Sequence, residues 1–119
     1  MQGKKKDLSA RSASVLMVGA LSPEMERKIH RLHAEGFVVT QAETICHAEL
    51  FSEAQYFDAA VYDESLAEVE QLSLARIMRM RWPWMRLIRC GNSALAASAL
   101  FDASSASEAN LPATIQGCL

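Results

Sequence analysis

Four short apolar runs, separated by stretches of helical periodicity, constrain this chain more than any other feature. The runs are residues 15–19, 37–40, 59–62 and 85–90. Each is short and rich in β-branched or aliphatic residues, as strands buried on both faces are. Between the first two, Ser22-Pro23-Glu24 is a helix start. Serine can cap, proline is pre-organised at the first helical position, and glutamate meets the positive end of the dipole. Met25, Ile29 and Leu32 then fall on one helical face, and Gly36 ends the helix. Residues 44–56 and 69–81 repeat the helical pattern, the latter ended by Trp82-Pro83-Trp84. Residues 93–103 read as an Ala/Leu helix and 104–110 as a loop, while 111–119 are too short to divide into strand and helix.

Alternation of this kind predicts parallel pairing with right-handed crossovers and helices on both sheet faces. Chemistry in such sheets sits at the carboxyl ends of the strands. Here those ends are Gly19-Ala20, Asp63 and Gly91-Asn92.

Composition narrows the class. At 119 residues one domain is expected, with a basic arm or leader over residues 1–13 and the folded unit over 14–119. Twelve Lys and Arg against fourteen Asp and Glu give a net charge of -2, which argues against a strongly basic nucleic-acid clamp. Cys46, Cys90 and Cys118 are odd in number and far apart, which fits reduced thiols better than a disulfide framework or zinc site. No apolar run approaches the roughly 20 residues that span a bilayer, and the run after the N-terminal lysines lacks a cleavage-site pattern. A cytoplasmic location is expected. Cys90 reads as a buried strand residue. His30 and His33, at i and i+3, could chelate a metal with a third ligand but read as surface residues, as does His47.

At this point the sequence resembles the receiver domain of bacterial two-component response regulators. Ala42, Ala48 and Asp58 fall where that family shows A…A…D in V-x-x-A-x-x-G-x-E-A-L…D. The stretch Asp58-Ala59-Ala60-Val61-Tyr62-Asp63 is similar to D-L-V-L-L-D. Leu66, Leu72, Leu74, Arg76 and Arg79 match D-x-x-L-P-x-x-D-G-L-x-L-x-R-x-x-R without a gap. Pro83, Leu87 and Ile88 match P-x-x-x-V-I. The resemblance covers residues 14–92 and, weakly, 93–119. It implies an α/β, flavodoxin-like (CheY-like) three-layer sandwich with a parallel, five-stranded sheet and a short or truncated C-terminal helix.

The resemblance also implies a chemistry, phosphoryl transfer to an aspartate at the end of the third strand, where Asp63 stands. In the family an acidic pair after the first strand helps hold Mg²⁺. A Thr or Ser after the fourth strand and a Lys after the fifth bind the phosphoryl oxygens. This chain departs at each support. The acidic pair maps to Gly19 and Ala20, and residues 14–23 contain no acid. The hydroxyl position maps to Gly91, with Cys90 one residue away and Ser93 two. The lysine position falls near residues 111–113, and no lysine follows Lys28. Ala67 replaces a proline, and Gln71 the glycine that opens the next helix. Losing one pre-organised donor typically lowers a rate by roughly 10²–10³.

The expectation is therefore a degenerate, or pseudo-receiver, signalling module. It is not an enzyme, has no cofactor or metal, and acts through a protein partner or itself. Asp63 as an active phosphoacceptor in a phosphorelay is the alternative. In the family the fourth and fifth helices with the fifth strand form the dimer and partner surface. Leu95, Leu100 and Phe101, on an apolar C-terminal edge, are the candidate interface here, for a homodimer or another protein. A lesser alternative is nucleic-acid binding by the Arg76-x-x-Arg79-Met80-Arg81-Trp82-Pro83-Trp84-Met85-Arg86 stretch. A solvated helix face with two tryptophans over the lower core is the favoured reading of that stretch.

Overall fold

The structure, a computed structural model, describes residues 12–91 and 99–119. It contains β1 (Ser14–Val18), α1 (Pro23–Ala34), β2 (Val38–Ala42), α2 (Ile45–Ala54), β3 (Ala59–Tyr62), α3 (Glu68–Arg81), β4 (Arg86–Cys90), β5 (Ala103–Ser105) and α4 (Leu111–Cys118). The five strands form one sheet in the order β2-β1-β3-β4-β5, and every pairing is parallel. This is the expected flavodoxin-like order, with the reversal of strand order falling between β1 and β3.

Alternate side chains divide the core into two layers. Leu16, Val18, Ala60, Tyr62 and Leu87 face Ala48 of α2 and Leu74, Ala75 and Met78 of α3. Val15, Met17, Val61 and Ile88 face Met25 and Leu32 of α1 and Leu111 and Ile115 of α4. The helix starts follow their sequence signals. Ser22 Oγ accepts from the Met25 amide at 3.0 Å, and Thr44 Oγ1 from the His47 amide at 3.1 Å. Asp58 secures the start of β1, its Oδ2 accepting from the Ser14 amide at 2.8 Å.

The C-terminal quarter corrects the sequence expectation. Ala103–Ser105 is β5, where helix end and loop were expected. Ala and Ser have little strand preference. What makes the strand is pairing at a distance: Ile88 with Ala103, Arg89 with Ser104 and Cys90 with Ser105. Asp102 anchors its start, accepting from the Leu87 amide at 2.8 Å and from Arg79 Nη2 at 2.9 Å. Residues 111–118 are helix alone, so the position following the fifth strand lies at Ser105–Ser107 rather than at residues 111–113.

Arg89 is a second feature no pattern announced. It lies on the α3 side of the sheet and is 2% exposed. Its Nε donates to Gln71 Oε1 at 3.3 Å, while Gln71 Nε2 donates to the Leu66 carbonyl at 3.0 Å. Gln71, where the resemblance leads one to expect glycine, thus holds a buried guanidinium.

Candidate functional site

The ends of β1, β3 and β4 converge as the topology requires. Gly19, Asp63 and Gly91 each extend the sheet by one step: their amides donate to the carbonyls of Ala42, Val18 and Ser105 at 2.9, 2.8 and 2.9 Å. Gly91 has φ 103° and Gly19 has φ 153°, conformations that side-chain-bearing residues rarely adopt. Asp63, on the α1 side of the sheet, is only 4% exposed.

A buried carboxylate needs a counter-charge. Lys28 supplies it. The Lys28 ammonium donates to Asp63 Oδ1 at 2.5 Å, and the Ser65 amide donates to Oδ2 at 3.0 Å. Both oxygens are engaged. Lys28 lies on α1 between Met25 and Leu32, on that helix's core-facing side, and is itself buried. Burial disfavours the charge on both groups. Their mutual hydrogen bond and attraction outweigh it: Lys28 is held above its ordinary value and Asp63, helped by Ser65, below its own.

Gly19 completes the arrangement by what it lacks. A Cβ there would lie 2.6 Å from Asp63 Cβ, 3.1 Å from Met25 Cε and 3.1 Å from Ser65 Oγ. An acidic side chain therefore cannot stand at position 19 without displacing Asp63 or its neighbours. Ala20 is exposed. At the third tip Gly91 offers no side chain, and Cys90, one residue earlier, faces the site instead. Burial pushes the Cys90 thiol up to about 11, so it is neutral at physiological pH and does not compete for Lys28. A cavity of about 440 Å³ opens over the pair, bordered by Ser22, Glu24, Glu64, Cys90 and Ser105.

The divalent ion that the resemblance implies does not suit that donor set. Position 19 excludes a ligand, and Asp63 already holds an ammonium. Among the described residues no group of three or more His, Cys, Asp or Glu is placed to hold a metal ion. The residues present do not fit the ion.

Lys28 is the residue at this site that sequence reasoning missed. No lysine follows residue 28, but the cation at Asp63 is Lys28 itself, reaching in from α1. The available signal was its spacing: Met25, Lys28 and Leu32 share one helical face. Leu95 and Ser93 lie outside the described residues. Phe101 is buried edge-on against Tyr62, with ring centroids 5.2 Å apart, and Leu100 packs against the same core. Phe101 is therefore a core residue rather than part of an exposed face.

The Arg/Trp stretch is largely engaged within the molecule. Arg79 donates to the Leu100 carbonyl and to Asp102, both at 2.9 Å. Arg81 pairs with Glu53 and lies 4.6 Å over the buried Trp82 ring. Trp84 stacks on Tyr56 at the opposite end of the sheet from Asp63, with centroids 6.1 Å apart.

No family model and no curated protein matches the sequence. Solved structures do match in fold. A CheY-like response regulator receiver domain protein from Methanospirillum hungatei superposes with a TM-score of 0.77 at 22% identity, covering 90% of this chain and 93% of that one. The chemotaxis protein CheY4 of Vibrio cholerae gives 0.75 at 18% identity, covering 91% and 99%. The response regulator TrrA of Thermotoga maritima, solved in complex with Mg²⁺-BeF, gives 0.67 at 17% identity, covering 80% and 86%. This chain has the fold of receiver domains. No helix among the described residues is long and apolar enough to cross a membrane.

Proposed function

We propose that this chain is a receiver-like signalling module of the two-component type that acts in the cytoplasm through protein–protein contact, without phosphoryl transfer at Asp63. The fold supports the receiver-like part. One observation carries the rest: the Asp63 carboxylate is buried with Lys28 on one oxygen and the Ser65 amide on the other. A nucleophilic carboxylate needs an accessible oxygen and a cation that can follow charge onto the phosphoryl group. In this chain the cation at hand is bound to the nucleophile itself. The partner is another protein or a second copy of this chain; light scattering separates the two.

The competing reading makes Asp63 a phosphoacceptor with Lys28 as its phosphoryl-binding cation. Intact-mass measurement after incubation with a small-molecule phosphodonor and Mg²⁺ discriminates. The proposal expects an unchanged mass. A stoichiometric gain of one phosphoryl group, lost in Asp63→Asn, overturns it.

A further inference from the structure

We infer that Lys28 is a resident counter-cation, one that takes the place at Asp63 that an external divalent ion would need, so that the chain itself sets the state of this site. The inference rests on the reading of Asp63 as a non-acceptor and gives that reading its regulatory meaning.

The geometry joins two sequence features that look independent, the missing acid at position 19 and a lysine on the buried face of α1. Gly19 leaves room beside Asp63 Cβ, and the Met25 methyl lies on that same spot, 3.1 Å from where a Cβ would stand. Met25 is fully buried and Lys28 follows it by one helical turn. A side chain at 19 would push α1 away and draw the ammonium off Asp63. Glycine at 19 and lysine at 28 are thus complementary parts of one arrangement. A divalent ion has no side-chain ligand at 19, and at Asp63 it would meet the Lys28 ammonium already on the carboxylate.

The ammonium is also well fixed. α1 is held by Met25 and Leu32, both fully buried, on either side of Lys28. Asp63 in turn fixes the loop that follows β3, through the Ser65 amide and through its own carbonyl, which accepts from the Leu66 amide at 3.1 Å. The pair therefore ties α1 to the β3–α3 loop. In a receiver fold these are the elements around the acceptor aspartate, and here their relative placement is set by a side chain.

Other groups near the pair do not supply an equivalent charge. Glu64 and Glu24 border the cavity and are acidic. Glu108 is engaged by Arg27 at 3.3 Å and Arg31 at 3.8 Å on the outer side of α1. Cys90 is neutral. Lys28 is the only cationic side chain bordering the cavity among the described residues.

A double-mutant cycle read by thermal unfolding tests this, with and without millimolar Mg²⁺. Lys28→Met and Asp63→Asn are each expected to lower Tm by roughly 10–20 °C, because each strands a buried polar or charged partner. The double variant is expected to lose less than the sum of the two and to regain a folded state if Lys28→Met alone does not fold. Mg²⁺ is expected to leave the wild-type Tm unmoved. Losses that add, or a wild-type Tm that rises with Mg²⁺, overturn the inference. A phosphoryl adduct on the wild-type chain would instead defeat the non-acceptor reading, whatever the cycle gives.

Discussion

Placing a side chain at position 19 separates a structural exclusion of the acidic pair from an incidental loss of it. In Gly19→Ala the new Cβ would stand 2.6 Å from Asp63 Cβ, where ordinary carbon contacts begin near 3.4 Å. Overpacking of this kind in a closed core typically costs about 1–3 kcal/mol. The backbone at φ 153° adds roughly 1–3 kcal/mol for a residue with a side chain. The narrower unfolded ensemble of alanine returns about 0.4–1 kcal/mol. The net expectation is a loss of about 1–6 kcal/mol, a large part of the roughly 5–15 kcal/mol a domain has in total. Gly19→Asp should lose at least as much, because it also sets a second carboxylate beside Asp63. Ala20→Asp is the control. It is exposed and should stay within about 0.5 kcal/mol of wild type. Urea unfolding followed by far-ultraviolet circular dichroism measures all three. A Gly19→Ala midpoint equal to that of wild type, with unchanged slope, would refute the packing reasoning.

Three further outcomes follow from the same geometry. Asp63 is held below its ordinary 3.8, so its contribution is present above that pH and lost as the solution becomes more acidic; Lys28 is held above 10.5, so its contribution is present below that pH and lost as the solution becomes more alkaline. Tm should therefore fall at both extremes, and Lys28→Met/Asp63→Asn should flatten both limbs; an unchanged profile would count against the pair. Cys46 is exposed and Cys90 buried with its thiol raised to about 11, so a thiol reagent at neutral pH should label Cys46 rapidly and Cys90 only on unfolding, with peptide mapping to tell them apart. Arg89→Met removes a buried guanidinium, whose Nη1 has no hydrogen-bond partner among the described residues, but it also strands the buried Gln71 Oε1; stability should fall by about 1–3 kcal/mol, and a urea melt unchanged from wild type would show that the Arg89–Gln71 bond contributes nothing.

The first four strands and the helices α1, α2 and α3 were legible in the sequence because their signals are local. Short buried strands and capped amphipathic helices carry their patterns in consecutive residues, and the observed boundaries lie within two residues of those expected. Asp63 was legible for the same reason, as the acid that ends an apolar run. The unread parts are non-local. β5 is Ala-Ser-Ser, which has no strand character until β4 lies beside it. Lys28 reads as one more charged helix residue until α1 is laid on the sheet, 35 positions in sequence from its partner. The lysine count shows that no lysine follows residue 28; it does not show that Asp63 lacks a cation, because folding can bring a charge in from an earlier helix. Gln71 and Arg89 show the same effect on the other face of the sheet. Each looks like a departure from a pattern when read alone, and the two form a hydrogen-bonded pair in the fold.

The central claim is that Asp63 is already occupied by the chain's own cation. Beryllofluoride, a non-covalent mimic of the phosphoryl group, tests it at the atom concerned. Amide proton–nitrogen correlation spectra would be recorded while Mg²⁺ and beryllofluoride are added together, following Gly19, Ser65, Cys90 and Gly91 around the carboxylate. The account predicts that these signals stay where they are, with Lys28 still on Asp63. Saturable shifts at all four, absent in Asp63→Asn, would contradict it.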